Sequence, residues 1–455
     1  MKIERFEVAG LAQYSYVISD GGEAVVIDPM RDIERYVAYA EREKLLVTAV
    51  VETHIHADFA AGSMALVQAT GAELALSGYD SMERYVYSMR HRRLRDGDTV
   101  KVGSVRLQAL FTPGHTPEHL SYLLRGSDGE LEAMFSGDFL FAGALGRPDL
   151  LGEEAKVELA KELYKSVTKR IAGLPDGLAV YPGHGAGSLC GAGLSDRVET
   201  TLGYERETNA YFGYGEMEFV EKILASVPPM PTYYPRMKAL NAKGSPVLLE
   251  LPGGLALSVA EVEAMQADVT LLDARGVDAF AAGHAKGAIS LGLEGNLSMW
   301  AGWLLEAEKP IVLLGDGGTE EAVRLALVRV GLDGIVGRLE GGMRAWRDEG
   351  MVMETVRSMT AAEVAEESGE VLVVDVRNDS EMGRGAIAGS QHVALGDLPA
   401  RLGEIKRGRP VVTVCESGYR ASTAASLLQA AGFEDVRTMQ GGMGAWRGWE
   451  GGNRE

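Results

Sequence analysis

Thr53-His54-Ile55-His56-Ala57-Asp58-Phe59 follows closely on the apolar run Leu46-Val47-Thr48-Ala49-Val50-Val51. That run is short and rich in β-branched residues, the pattern of a buried strand. Two histidines and an aspartate therefore leave a strand end for a loop, where ligand-bearing side chains are projected. Three similar strand ends follow. A hairpin strand runs into TPGHTPEH, which carries His115 and His119; AMFSGD ends at Asp138; and LAVYPGHG ends at His184. Imidazoles and carboxylates from several strand ends can converge on one metal. Around them, QYSYVISD and EAVVIDP form a hairpin across Asp20-Gly21-Gly22, and TVKVGSVRLQALFT forms another. Helical patterns lie at IERYVAYAERE and AGSMALVQATG. This mixture predicts two sheets with helices outside them.

The chain has 455 residues, enough for about two to four domains. Its 46% hydrophobic and 24% charged content is that of a folded globular protein. A net charge of −20 repels phosphate backbones and anionic lipid, so neither nucleic acid nor a membrane surface is an expected partner. No apolar run reaches the roughly 18 residues of a membrane span. The start, MKIERFEVAG, lacks the apolar stretch of a secretion signal, and a cytoplasmic location is expected. Two cysteines, Cys190 and Cys415, exclude a disulfide framework. Six of the eight histidines precede Cys190.

Five prolines crowd the stretch from Pro228 to Pro246, PPMPTYYPRMKALNAKGSP, which reads as a stiff extended linker with no regular helix. Beyond it the chain repeats itself. SVAEVEAM at Ser258 recurs as TAAEVAEE at Thr360, LLDAR ending at Arg275 as VVDVR ending at Arg377, and GHAKGA at Gly283 as GAIAGS at Gly385. EGGMRAW ending at Trp346 recurs as QGGMGAW ending at Trp446. The first three pairs are 102 residues apart and the last 100, which implies a two-residue deletion in the second copy, ahead of its central loop. Runs such as VLVVDV and PVVTVC, alternating with helical stretches such as ASTAASLLQAAGF, predict an α/β fold with a parallel sheet in each copy. The expected organisation is a first domain over 1–227, a linker over 228–246, and repeats over 247–355 and 356–455.

The ordered His and Asp set resembles the metallo-β-lactamase fold, which carries an H-x-H-x-D-H signature and then single His, Asp and His residues at later strand ends. The resemblance implies an αββα sandwich over about the first 200 residues. One position departs: Phe59 stands where the signature has its last His, a ligand of the second metal in binuclear zinc hydrolases of this fold. Phenylalanine cannot ligate, so a single metal is expected. Within the fold the set looks like the persulfide dioxygenase branch, which implies His54, His115 and Asp138 as ligands of one Fe(II) per chain. Two histidines and one carboxylate with open positions suit non-haem iron and O₂. His56, Asp58 and His184 are expected behind the ligands, orienting them. GRPD at Gly146 resembles the family's G-R-x-D and makes Arg147 a candidate anion contact for the substrate. Cys190, in GHGAGSLCG, lies near the metal mouth, as an inert thiol or as a substrate contact in sulfur handling.

In the second repeat the strand VVTV ends in Cys415-Glu416-Ser417-Gly418-Tyr419-Arg420, and a helix follows. Backbone N–H groups and Arg420 would favour a thiolate at Cys415, and the thiolate is the nucleophile. The loop resembles the C-x-x-G-x-R loop of the rhodanese sulfurtransferases. That implies Cys415 and Arg420 as catalytic groups, with substrate contacts from Glu416, Ser417, Gly418 and Tyr419. Related phosphatases have one more residue between Cys and Arg. In the first repeat the equivalent of Cys415 is Gly315, and Glu320 replaces the arginine, so this copy is expected to be catalytically silent. The whole chain resembles bacterial fusions of a persulfide dioxygenase with an inactive and an active rhodanese. The resemblance implies a low-molecular-weight thiol persulfide, O₂ and sulfite as reactants, with thiosulfate as product; a homo-oligomer is expected as well. A zinc thioesterase of glyoxalase II type joined to a sulfurtransferase, and a non-catalytic persulfide sensor, are the competing readings.

Overall fold

The computed structural model describes residues 1–82 and 84–452. The chain divides into two compact units, 1–249 with 328–331, and 250–327 with 332–455. Among the described residues, no helix is long and apolar enough to cross a membrane.

The first unit contains two six-stranded sheets. One runs β1 (Lys2–Val8), β2 (Gln13–Asp20), β3 (Glu23–Ile27), β4 (Leu46–Val51), β5 (Glu73–Ser77) and β6 (Arg92–Leu94). Its first three strands are antiparallel, and β3 to β6 are parallel. The other holds β7 (Thr99–Val102), β8 (Val105–Phe111), β9 (Leu120–Arg125), β10 (Leu131–Gly137), β11 (Ala179–Pro182) and β12 (Thr200–Thr201) in spatial sequence. Alternate residues of the two sheets, among them Tyr16, Ile18, Val25, Leu107, Tyr122 and Phe135, fill one shared core. The opposite face of the first sheet packs Tyr36 and Leu66, from helices Glu34–Glu43 and Ser63–Thr70. That of the second packs Leu163 and Phe219, from helices Lys156–Lys165 and Glu216–Ser226. This is the expected αββα sandwich, and both predicted hairpins are present.

The proline-rich stretch is a correction. It does not run as an extended linker: Tyr234–Lys243 is an α-helix with Pro235 in its first turn. Proline is tolerated there because the N–H it lacks would have no partner within the helix. Tyr234, Met237, Lys238, Asn241 and Ala242 are buried, so the segment belongs to the first unit.

Each repeat in the second unit forms a five-stranded parallel sheet of the same order. Thr270–Asp273 pairs with Ile311–Leu314, and Leu372–Asp375 with Val411–Val414. The first pair of equivalent strands is 102 residues apart and the second 100, so the deletion lies between them. Ser258–Glu261 and Thr360–Glu363 form equivalent capping boxes. Arg275 and Arg377 fork onto Asp273 and Asp375 with matching geometry.

Candidate functional site

The strand ends converge. His54 Nε2 lies 3.9 Å and His115 Nε2 3.6 Å from Asp138 Oδ2, and all three residues are buried. None of these three atoms has a hydrogen-bond partner. Their opposite sides are fully engaged. Thr53 Oγ1 donates to Asp28 Oδ2 at 2.9 Å, which leaves it to accept the Nδ1–H of His54, also at 2.9 Å. His115 donates Nδ1–H to the Arg147 carbonyl at 2.9 Å. Both rings thus turn an Nε2 lone pair toward the carboxylate, the tautomer a metal ligand needs. Burial holds both imidazoles below their ordinary range, His115 at about 4, so both stay neutral. Three buried, unpaired donors of this kind are costly without a cation between them. The residues therefore fit a metal ion.

The second carboxylate oxygen of Asp138 is held from behind. His184 joins it through Nδ1 at 2.7 Å and joins Asp58 Oδ2 through Nε2 at 2.7 Å. Burial opposes a charge on His184, but the two carboxylates win and raise it well above an ordinary imidazole. One side-chain atom from each of Asp58, His184 and Cys190 lies within 4.8 Å of the other two. Burial first, and then Asp58 and Asp138, push the Cys190 thiol up, so it stays protonated. Phe59 is fully buried with its ring 4.4 Å from that of His56. His56 bonds Asp28 Oδ1 through Nε2 at 3.0 Å, and its buried Nδ1 has no hydrogen-bond partner.

Arg147 corrects an expectation. Its guanidinium is buried and forked onto Asp149 at 2.7 and 2.8 Å, and Nη1 donates to the carbonyls of Leu189 and Pro229. All three nitrogens are committed to the protein, so the side chain offers no free fork to an anion. Its own carbonyl, however, orients His115.

Several supports escaped the sequence reading. Asp28 takes the Thr53 N–H at 2.7 Å and anchors His56, and it ends the apolar strand β3 just as Asp138 ends β10. That strand-end position was the available signal. Glu52, buried beside the loop, is pushed up to about 7 by burial. Asn241 donates to the His56 and Phe59 carbonyls and accepts from Ala61 N–H, while Tyr233 donates to Asp58 O and Lys238 to Ile55 O. These three lie in the stretch read as a linker, where no signal marked them.

In the second repeat Cys415 is buried at the end of strand Val411–Val414, and its sulfur accepts the Gly418 N–H at 3.0 Å. Met443 N–H donates to Cys415 O at 2.8 Å. A Cβ on Gly442 would lie 2.3 Å from that carbonyl, and one on Gly342 would lie 2.0 Å from Gly315 O. The Gly-Gly-Met segment thus cradles the central loop in both copies, and Gly315 occupies the place of Cys415. Two loop expectations change. Arg420 forks onto Glu381 at 2.5 and 2.8 Å, so its charge is matched rather than offered whole to the sulfur. Tyr419 turns out of the loop toward the first repeat, where its hydroxyl donates to Gly292 O. Glu416 ion-pairs with Arg447, and Ser417 is exposed.

Family models agree with this division. The metallo-beta-lactamase superfamily matches residues 8–184, and the rhodanese-like domain matches 258–349 and 360–448. A solved structure described as a metallo-beta-lactamase from Staphylococcus aureus subsp. aureus COL is 33% identical; the match covers 74% of this chain and 98% of that one, with a TM-score of 0.69. A structure of ETHE1 from Myxococcus xanthus is 30% identical, covering 53% and 100% at a TM-score of 0.45. A hydroxyacylglutathione hydrolase from Polaromonas sp. is 36% identical over 38% of this chain. The chain spans about three fifths of the length of that relative and of two others described as hydroxyacylglutathione hydrolases.

Proposed function

The chain belongs to the metallo-β-lactamase superfamily and carries two rhodanese-like domains behind that fold; from this premise we propose that it is a persulfide dioxygenase–sulfurtransferase. The reading rests above all on the unpaired donor set of His54, His115 and Asp138, two imidazoles and one carboxylate turned on a single point. That set suits Fe(II), which when bound would supply the chemistry of O₂. Phe59 fills with hydrocarbon the place of a further ligand, which favours one metal over two.

The chain's own groups do the rest. His184, wedged between Asp58 and Asp138, fixes the carboxylate so that its free oxygen faces the centre. Thr53 and the Arg147 carbonyl hold the two imidazoles in register. The net reaction takes a thiol persulfide, O₂ and water to thiol and sulfite. At the second site the Cys415 thiolate attacks the outer sulfur of another persulfide. The S–S bond breaks, thiol leaves, and the sulfur carried on Cys415 passes to sulfite as thiosulfate. The Gly418 N–H on the sulfur favours the anion that attacks and the anion that leaves. A shared chain raises the effective concentration of sulfite near Cys415.

A zinc thioesterase of glyoxalase II type fused to a sulfurtransferase is the second reading, drawn from the 36% identity to a hydroxyacylglutathione hydrolase. Metal analysis together with O₂ uptake on a persulfide separates the two. The expectation is about one iron per chain and persulfide-dependent O₂ uptake, with Cys415→Ser still consuming O₂ but releasing sulfite in place of thiosulfate. Two zinc ions per chain, no O₂ uptake and hydrolysis of a glutathione thioester would establish the hydrolase instead.

A further inference from the structure

The helix Tyr419–Ala430 starts where the Cys415 loop ends, and Gly418, whose N–H meets the Cys415 sulfur, is its N-cap. One stripe of this helix is docked on the first repeat. Tyr419 Oη donates to Gly292 O at 3.0 Å, and Ser422 Oγ lies 3.1 Å from Ser290 Oγ. Ser426 Oγ accepts the Ser290 N–H at 3.0 Å, and Gln429 donates to Thr355 O at 3.0 Å. Steps of three, four and three residues trace one face of an α-helix. The fit is tightest at the head of the stripe. A Cβ on Gly295 would lie 2.1 Å from Tyr419 Cζ and 2.3 and 2.6 Å from its two Cε atoms. Only glycine at 295 lets the ring lie where it does. Burial pushes the Tyr419 hydroxyl up, so it remains a donor.

We infer that the first repeat, which has no nucleophile of its own, holds the sulfur-transfer loop of the second in reactive geometry through Tyr419 seated on Gly292 and Gly295. The inference rests on reading Cys415 as the sulfur acceptor. Tyr419 is a positioning residue, since its side chain points away from the reacting sulfur. It fixes where the helix begins, and so where the Gly418 N–H meets Sγ. A backbone N–H aimed at a sulfur anion loses its value steeply once distance and angle drift. A seat on the neighbouring repeat therefore controls rate without touching substrate.

The full chain can be assayed for sulfur transfer from thiosulfate to cyanide. The Cys415 thiolate takes the outer sulfur of thiosulfate and releases sulfite. Cyanide then removes that sulfur as thiocyanate and regenerates the thiolate. Gly295→Ala and Tyr419→Ala are each expected to lower kcat about tenfold or more, with KM for thiosulfate moving less than about threefold. Tyr419→Phe, which keeps the ring, should stay within about threefold of the parent. Because both residues act through one contact, the double variant should be no slower than the slower single. A parent-like kcat in Gly295→Ala, losses that multiply in the double variant, or losses that only follow a lowered melting temperature would each overturn the inference. Should Gly295→Ala fail to fold, Tyr419→Ala against Tyr419→Phe carries the same comparison. A parent that transfers no sulfur at all defeats the reading of Cys415 itself, which the activity of the unmodified chain tells apart from a failure of the seat.

Discussion

His54 and His115 each surrender Nδ1 to a protein acceptor, and that surrender leaves an Nε2 lone pair free for a cation. Thr53 is the sharper case, because one hydroxyl links Asp28 to His54. Thr53→Val keeps the shape and removes the link, and should weaken metal binding about 10- to 100-fold. Competition against a chelator measures this, and an unchanged affinity would remove the hydroxyl from the account. Glu52 gives a second handle. Burial raises its carboxyl to about 7, against an ordinary 4.5, so the folded chain keeps it neutral where the unfolded chain ionises it. The stability this confers is complete below the unfolded value and is lost as pH rises through the folded one. Glu52→Gln fixes the neutral form. Relative to that variant, the parent should lose on the order of 2–3 kcal/mol between about pH 4.5 and 8. Denaturant titrations across that range would show parallel curves if Glu52 ionised freely. The convergence of His54, His115 and Asp138 was legible in the sequence, since each is a His or Asp at a strand end. The commitment of Arg147 was not, because a guanidinium in a Gly-rich loop looks the same whether its partner is a substrate or Asp149.

At the level of elements, alternation and helical period located the sheets and most helices, because burial on one or two faces leaves a mark in the order of residues. The helix Tyr234–Lys243 left no such mark. Its prolines suggested an extended chain, whereas Pro235 sits in the one turn that tolerates it. The helix earns its place through tertiary contacts that no local pattern encodes. Asn241 alone satisfies two carbonyls and one N–H of the metal loop. Asn241→Ala strands these buried groups and should cost about 3 kcal/mol. Calorimetry is expected to show a lowered melting temperature together with weaker metal retention. A loss of stability with metal affinity intact would separate the helix from the site.

Across the whole molecule, the two repeats share one fold and differ at the central loop. The capping boxes, the Asp–Arg forks and the Gly-Gly-Met cradle are shared, while Gly315 and Glu320 stand in the first copy where the second has Cys415 and Arg420. Self-comparison of the chain exposed this readily, since two copies differing at the loop separate what builds the domain from what reacts in it. What the first copy does instead lay in how its surface fits Tyr419, which repetition cannot reveal. The helix Tyr234–Lys243 also bears on how such a protein can be taken apart. The proline run invites a cut near residue 228, yet Tyr233, Lys238 and Asn241 beyond it hydrogen-bond the carbonyls of Asp58, Ile55 and His56. A fragment cut at that point would lose the hydrogen bonds that Tyr233, Lys238 and Asn241 make to the carbonyls of Ile55, His56, Asp58 and Phe59. The first compact unit therefore extends past the proline run, to residue 249.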